Sequence, residues 1–291
     1  MNELLPKLRG LAPSLVPSLR RVADVLLADP GVAAGLTISD LATAAHTSKT
    51  TVLRLCRELG VPSYRDLRVR LAAEGGRAEA RAERYAAGAD ISRTDSLDDV
   101  IAKITFADSQ AIAETARLLD RDHLAAAVAA VAAARRVDVF GVGASAFVAM
   151  DLQQKLHRIG LISFSWSDQH AALTAAALLT PGDVAIAISH TGSTRDTVET
   201  IGLARRHGAT TVALTAVPRS PLAVAVDHQL ITASRETTFR SGAMASRIAA
   251  LSVVDVLFVA VAQARYDRTV AALEATRKAV GIRRFDSDET R

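Results

Sequence analysis

The chain has 291 residues, of which 49% are hydrophobic and 4% aromatic, so it can form two ordinary globular domains and is too apolar to be wholly disordered. Its net charge of +4 permits a nucleic-acid partner without requiring one. The single cysteine, Cys56, excludes an internal disulfide and fits a reducing compartment.

Neither a secretory signal nor a membrane span is expected. Acidic residues such as Glu3 and Asp24 interrupt the N-terminal stretch, which lacks the apolar core of a signal peptide. The longest apolar stretch, 248–264, contains Asp255 and Gln263, which favours a buried core helix over a membrane helix. We therefore expect a cytoplasmic protein with no membrane partner.

Residues 1–73 show helical periodicity and no strand pattern. Asp29-Pro30-Gly31 is a strong helix breaker, and Gly60 followed by Pro62 is a typical helix C-terminus. The predicted helices are Leu15–Ala28, Thr37–Ala45, Ser48–Leu59 and Ser63–Ala73.

Two of these helices have the layout of a helix-turn-helix. In the second, apolar residues recur at i, i+3, i+4 and i+7, so Val52, Leu55, Cys56 and Leu59 form a stripe that faces the core. The opposite face carries hydroxyl and basic side chains, which can hydrogen-bond base edges and phosphates in a major groove. The predicted DNA-binding residues are Ser48, Lys49, Thr50, Thr51, Arg54 and Arg57, and Leu53 shares their outer face. A small docking domain with a solvated basic face is the alternative.

Residues 75–96 alternate charged residues with alanine between glycines, which favours a solvated linker. A continuous helix is the alternative. We therefore predict a helix-turn-helix domain over 1–74, a linker over 75–96, an α/β domain over 97–283 and a flexible tail over 284–291.

From residue 97 onward, helical stretches alternate with apolar runs, as in βαβ units with a parallel sheet. The predicted strands are Arg136–Gly143, Leu161–Trp166, Asp183–Ser189, Thr210–Thr215 and His228–Thr232. The predicted helices 97–119 and 122–135 precede the sheet, and 240–264 and 268–280 close the domain. The predicted fold class is an all-α N-terminal domain plus an α/β domain whose five-stranded parallel sheet has the flavodoxin-like order 2-1-3-4-5.

Two loops after predicted strands combine glycine with hydroxyl residues. One is Gly141-Val-Gly-Ala-Ser145, and the other is Ser189-His-Thr-Gly-Ser-Thr194; each leads into a helix. Hydroxyls, a flexible glycine and a helix N-terminus together favour an anion. In the 2-1-3-4-5 order both loops flank the crevice where such sheets bind ligands, which predicts a phosphate site. Ordinary capped turns are the alternative.

The chain resembles the RpiR-type bacterial transcriptional regulators, which join an N-terminal helix-turn-helix to a C-terminal sugar isomerase (SIS) domain. The resemblance covers roughly residues 10–280. It rests on both helices of the helix-turn-helix and on segments 60–64, 141–145, 151–160, 183–194, 220–222 and 236–248. His46 and Thr47 stand where glycine and valine are usual in the turn, and histidine tolerates the left-handed conformation that glycine would supply.

The resemblance implies a regulator that binds a double-stranded DNA operator as a homodimer or homotetramer and senses a phosphorylated sugar. By resemblance, the effector-binding residues are Ser145, Ser189, Thr191, Thr194 and Glu236. His190 and Gly192 are added to this set because they lie in the same loop. A ligand alters DNA affinity only if it binds one arrangement of the subunits better than another. Helices 240–264 and 97–119 are the predicted subunit interface.

Two other functions are weighed. A phosphosugar isomerase or lyase could use the same pocket, with Glu236 and a histidine as proton shuttles, but no acid/base pair is identifiable. Dinucleotide binding fits residues 141–146, yet no acidic residue ends the second strand. The seven histidines lack metal-ligand spacing. We therefore expect no enzymatic activity, no metal and no cofactor.

Overall fold

The computed structural model describes residues 4–86, 90–234, 236 and 245–281, with the side chains of 77–86, 280 and 281 excepted. The chain divides into two compact units, Met1–Ala89 and Asp90–Arg291, here called the N-terminal and C-terminal units.

The described part of the N-terminal unit is helical, as predicted. The helices are α1 (Leu4–Leu11), α2 (Pro17–Ala28), α3 (Pro30–Gly35), α4 (Ile38–Ala44), α5 (Lys49–Glu58) and α6 (Tyr64–Ala86). Their core is built from one apolar stripe of each helix, including Leu26 of α2 and Leu55 of α5, both fully buried. Helix α4 begins with a capping box, in which hydrogen bonds from the side chain and backbone of Thr37 lower the pKa of Asp40.

The last of these helices is longer than predicted. Helix α6 continues past Ala73 to Ala86, so the first part of the predicted 75–96 linker is helical. Alanine and straight-chain charged residues have high helix propensity, and over 77–86 they outweigh the cost of the glycine pair at 75 and 76. The stretch is therefore helical up to Ala86, whereas residues 90–96 are not helical.

The C-terminal unit contains the predicted five-stranded parallel sheet in the order β2-β1-β3-β4-β5. The strands are β1 (Arg136–Phe140), β2 (Ser163–Trp166), β3 (Asp183–Ile188), β4 (Thr210–Thr215) and β5 (His228–Ile231). The helices are α7 (Leu97–Leu118), α8 (Arg121–Ala133), α9 (Ala144–Arg158), α10 (Gln169–Ala177), α11 (Arg195–Arg206), α12 (Pro221–Val224), α13 (Ala245–Ala264) and α14 (Tyr266–Gly281). Residues 240–244 of the predicted 240–264 helix and the predicted tail 284–291 lie outside the described residues.

Both faces of the sheet are covered by helices, which is why its central strands are apolar throughout. On β3, Val184 and Ile186 pack in the cluster that includes residues of α8, α9 and α13. The alternate residues Ala185 and Ala187 pack in the cluster that includes residues of α10 and α11. The six residues of β3 are all buried.

Helix α13 is long and apolar enough to span a membrane by length and composition alone. It instead contacts α7, α8 and α9 and buries residues such as Val253, Val254 and Leu257 against the sheet. Its position is that of the predicted core helix.

Candidate functional site

The two glycine/hydroxyl loops follow neighbouring strands. Strands β1 and β3 pair in parallel from Arg136↔Asp183 to Phe140↔Ala187, so both chains leave the sheet at the same edge. The first loop enters α9 through Gly143, whose φ of 59° is left-handed and favours glycine. The second enters α11 through Thr194. The predicted crevice between the two strand ends is therefore present.

The 189–194 loop is held by its own hydroxyls. The Ser189 and Thr194 side-chain oxygens lie 3.0 Å apart, and the Gly192 N–H donates to Ser189 Oγ at 3.2 Å. Ser189 is buried, whereas Thr191 is exposed. These bonds fix the loop as one compact turn with the Thr191 hydroxyl on its outside.

The same loop is tied to the end of β4. The His190 carbonyl accepts hydrogen bonds from the Ala216 N–H at 3.0 Å and from Thr215 Oγ1 at 3.1 Å. The Gly192 carbonyl accepts from the Leu222 N–H at 2.9 Å. The loop is therefore preorganised, and a ligand would not have to order it.

Neither helix that starts at the crevice is capped by a side chain. Gly143 precedes α9 and Thr194 precedes α11, and neither supplies a side-chain hydrogen bond to the helix. Several other helices are capped in this way; for example, Asp168 caps α10 and Ser220 caps α12. The N-termini of α9 and α11 thus lack a side-chain capping hydrogen bond at the two places of the predicted anion site, although Asp196 lies in the first turn of α11.

A small cleft opens beside these loops. Among the predicted effector-binding residues, Ser145 and His190 line it. Ser189, Thr191, Gly192 and Thr194 lie in the adjoining loop and are not among its wall residues. The cleft is lined by Ala144, Ser145, Val148, Ile188, His190, Leu214, Thr215, Thr232, Ser246, Arg247 and Ala250.

Within the part of the chain that the structure describes, three polar atoms around this cleft are buried without a hydrogen-bond partner: His190 Nδ1, Ser246 Oγ and Glu236 Oε2. The other carboxylate oxygen of Glu236 accepts a hydrogen bond from the Ser246 N–H at 3.0 Å, which brings Glu236 to the start of α13. An unsatisfied buried polar group costs about 1–3 kcal/mol. Three such atoms therefore leave unused hydrogen-bonding capacity near this cleft.

In the N-terminal unit, the predicted division of α5 into two faces is present. Val52, Leu55 and Cys56 are buried, and burial raises the pKa of the Cys56 thiol, as expected for a packing residue. The exposed face carries Lys49, Thr50, Leu53, Arg54 and Arg57, with Ser48 as the N-cap and Thr51 half-buried beside it.

The turn before α5 has the geometry that the sequence predicted. His46 adopts a left-handed backbone with φ of 47°. The Arg21 side chain donates to the carbonyls of Ala45 and His46 at 3.1 and 3.2 Å, so it fixes the turn from α2. Helices α4 and α5 are therefore held at a defined angle.

Two family models match the chain. A helix-turn-helix domain of the rpiR family matches residues 2–76, and a SIS domain matches residues 130–260. An HTH-type transcriptional regulator of Caldanaerobacter subterraneus subsp. tengcongensis is 38% identical over 99% of this chain and 100% of its own length. The chain is an RpiR-family transcriptional regulator.

Two further relatives span nearly the whole regulator. The HTH-type regulator YbbH of Bacillus subtilis is 34% identical over 94% of this chain and 95% of its own length. The Vibrio vulnificus NanR protein, solved in complex with ManNAc-6P, is 31% identical, with a TM-score of 0.61 over 97% of this chain and 100% of that one. The likeness thus includes both units of the regulator.

Sequence reasoning missed four polar residues that line the regulator's cleft: Thr215, Thr232, Ser246 and Arg247. The sequence pattern could have indicated Thr215 and Thr232, because each is the last residue of a predicted strand, as Ser189 is. Ser246 and Arg247 begin α13 and reach the cleft only through tertiary packing. Among the described residues, no three His, Cys, Asp or Glu side chains cluster as metal ligands would.

Proposed function

We propose that this RpiR-family regulator binds a phosphorylated sugar in the cleft of its C-terminal unit. The observation that carries the proposal is the set of three unpartnered buried polar atoms on His190, Ser246 and Glu236 beside two uncapped helix starts. A sugar phosphate needs both features, because its hydroxyls exchange hydrogen bonds and its phosphate is an anion.

In this arrangement the phosphate occupies the helix starts and the two loops. Ser145, Ser189, Thr191 and Thr194 offer hydroxyls, and Gly192 allows the backbone to approach closely. The exposed Arg247 at the cleft supplies a positive charge. The sugar then faces His190, Ser246 and Glu236, whose free atoms can both donate and accept. The relative NanR, solved with ManNAc-6P, supports this class of ligand.

We propose that effector binding to the C-terminal unit changes the affinity of the N-terminal unit for an operator. We assign DNA binding to 1–74 and effector binding to 97–283, in a cytoplasmic homodimer or homotetramer. The interface is assigned to α7 and α13, whose outward residues include the exposed Ile101, Val256 and Val259. A ligand that favours one arrangement of these helices shifts the population of DNA-binding dimers.

A thermal-shift screen with the full chain tests the effector assignment. Phosphorylated sugars are compared with the same sugars lacking phosphate, and the ligand is recovered to check for turnover by ³¹P NMR. We expect a large shift that needs the phosphate, with the ligand recovered unchanged. Equal shifts from both forms of a sugar would contradict the phosphate site, and a converted ligand would favour the isomerase alternative.

Ser189→Ala is expected to weaken effector binding by roughly tenfold to a hundredfold, since a hydrogen bond to a charged group is worth about 1.5–3 kcal/mol. The variant also loses the bond from the Gly192 N–H. Titration calorimetry with the ligand found in the screen measures the change. Ser252→Ala, the same substitution on α13 where the hydroxyl bonds only its own helix at Ala249, serves as the control and should bind normally. Unchanged affinity in Ser189→Ala would contradict the assignment.

Arg54→Ala is expected to reduce operator affinity by roughly tenfold to a hundredfold, as for loss of a base or phosphate contact worth about 1–3 kcal/mol. Arg54 is exposed on the outer face of α5. Binding is measured on duplexes selected from a random library by the parent chain. Arg9→Ala removes an exposed charge from α1 instead and should have a smaller effect. Equal losses in the two variants would indicate that α5 has no special role.

A further inference from the structure

The outer face of α5 has one apolar side chain in its centre. Leu53 is 38% exposed, whereas the other apolar residues within Lys49–Glu58 are buried in the core of the N-terminal unit. Helical spacing places Leu53 one turn after Lys49 and one turn before Arg57, with Arg54 beside it. An apolar group is therefore framed by three cations.

The charges around Leu53 indicate what this face meets. Lys49, Arg54 and Arg57 complement a phosphate backbone, and the helix-turn-helix presents this face to a major groove. Within that groove the base edges present hydrogen-bond donors and acceptors, together with one apolar group, the C5-methyl group of thymine. Apolar side chains contact this methyl group. A leucine at the centre of the face has no hydrogen bond to offer and matches that methyl group.

We propose that Leu53 is a specificity-determining residue that contacts the C5-methyl group of a thymine in each operator half-site. The polar neighbours fix the helix in the groove, and Leu53 excludes water from the methyl group. Cytosine and uracil at the same position lack the methyl group, so the contact distinguishes thymine from both. This inference rests on the proposed DNA-binding role of α5 and does not depend on the nature of the effector.

Replacement of thymine by uracil tests the contact directly, since it removes the methyl group and leaves base pairing unchanged. Duplexes selected by the full parent chain are substituted with deoxyuridine at one thymine at a time. We expect one position in each half-site where the substitution lowers affinity about fourfold, the equivalent of one buried methyl group. Tolerance of uracil at every position by the parent chain would overturn the proposal.

The variant Leu53→Ala, tested on the same thymine and uracil duplexes, completes a double-mutant cycle between Leu53 and the methyl group. It should bind the thymine duplex more weakly than the parent and bind thymine and uracil duplexes equally at the sensitive position. Arg54→Ala should bind weakly overall yet keep the uracil penalty. Val69→Ala, which shortens an apolar side chain that is 60% exposed on α6, should behave as the parent. A uracil penalty that persists in Leu53→Ala, or a change in its oligomeric mass, would assign Leu53 to another contact.

Discussion

Replacement of Gly192 by alanine is expected to abolish effector binding and to destabilise the C-terminal unit by about 3 kcal/mol. Gly192 has φ of 62°, which is strained for a residue with a Cβ atom. The added Cβ would overlap the buried Ser220 side chain and lie 2.8 Å from Thr215 Oγ1. Relief requires the 189–194 loop to move away from the end of β4, and the proposed phosphate site moves with it.

Gly202→Ala is the matched control for this prediction. Gly202 lies inside α11, and its added Cβ would meet only the flexible end of Arg206, at 3.6 Å. Alanine should stabilise that helix by up to about 1 kcal/mol and leave effector affinity unchanged. Thermal melts and calorimetry on both variants measure the two effects. A Gly192→Ala protein that binds the effector normally would mean that the loop does not hold the phosphate.

The sheet, and the edge of it where the two glycine/hydroxyl loops lie, could be predicted because the sequence patterns that indicate them are local. Each strand is a short apolar run followed by a polar turn, and helices between successive strands imply parallel pairing. The order β2-β1-β3-β4-β5 does not follow from that alternation; it was taken from the flavodoxin-like pattern, and the structure has it. The loop residues Ser145 and Ser189 were found because they directly follow two of these runs. The left-handed turn at His46 was expected from the family resemblance, because His46 stands where glycine is usual.

The wall of the cleft opposite those loops was not predictable in the same way. Ser246 and Arg247 start a helix that reaches the site only because α13 packs across α7, α8 and α9. That packing depends on the apolar surfaces of four helices together, and no local pattern encodes it. The length of α6 is a different case. The high helix propensity of residues 77–86 favours continuing the helix, and the two glycines before them favour ending it. The sequence does not show which of these two free-energy contributions is larger.

Replacement of Arg136 by methionine is expected to destabilise the C-terminal unit by about 3–5 kcal/mol, because it leaves a buried carboxylate without its cation. Asp138 is fully buried in β1, and Arg136 binds both of its oxygens at 2.7 and 2.6 Å. Hydrogen bonding to Asp138 raises the pKa of Arg136, so the guanidinium stays charged. Trp166 Nε1 also donates to Asp138, at 2.9 Å.

Urea unfolding followed by the fluorescence of Trp166, the single tryptophan, reports on this cluster in the C-terminal unit. Lys278→Ala, which breaks an exposed ion pair with Glu274, should change stability by no more than about 0.5 kcal/mol. The double variant Arg136→Met/Asp138→Leu should recover much of the lost stability, since it removes the stranded charge rather than its partner alone. If the double variant were as unstable as Arg136→Met, the stacking of the Arg136 guanidinium over the Phe164 ring would account for the loss instead of the buried charge.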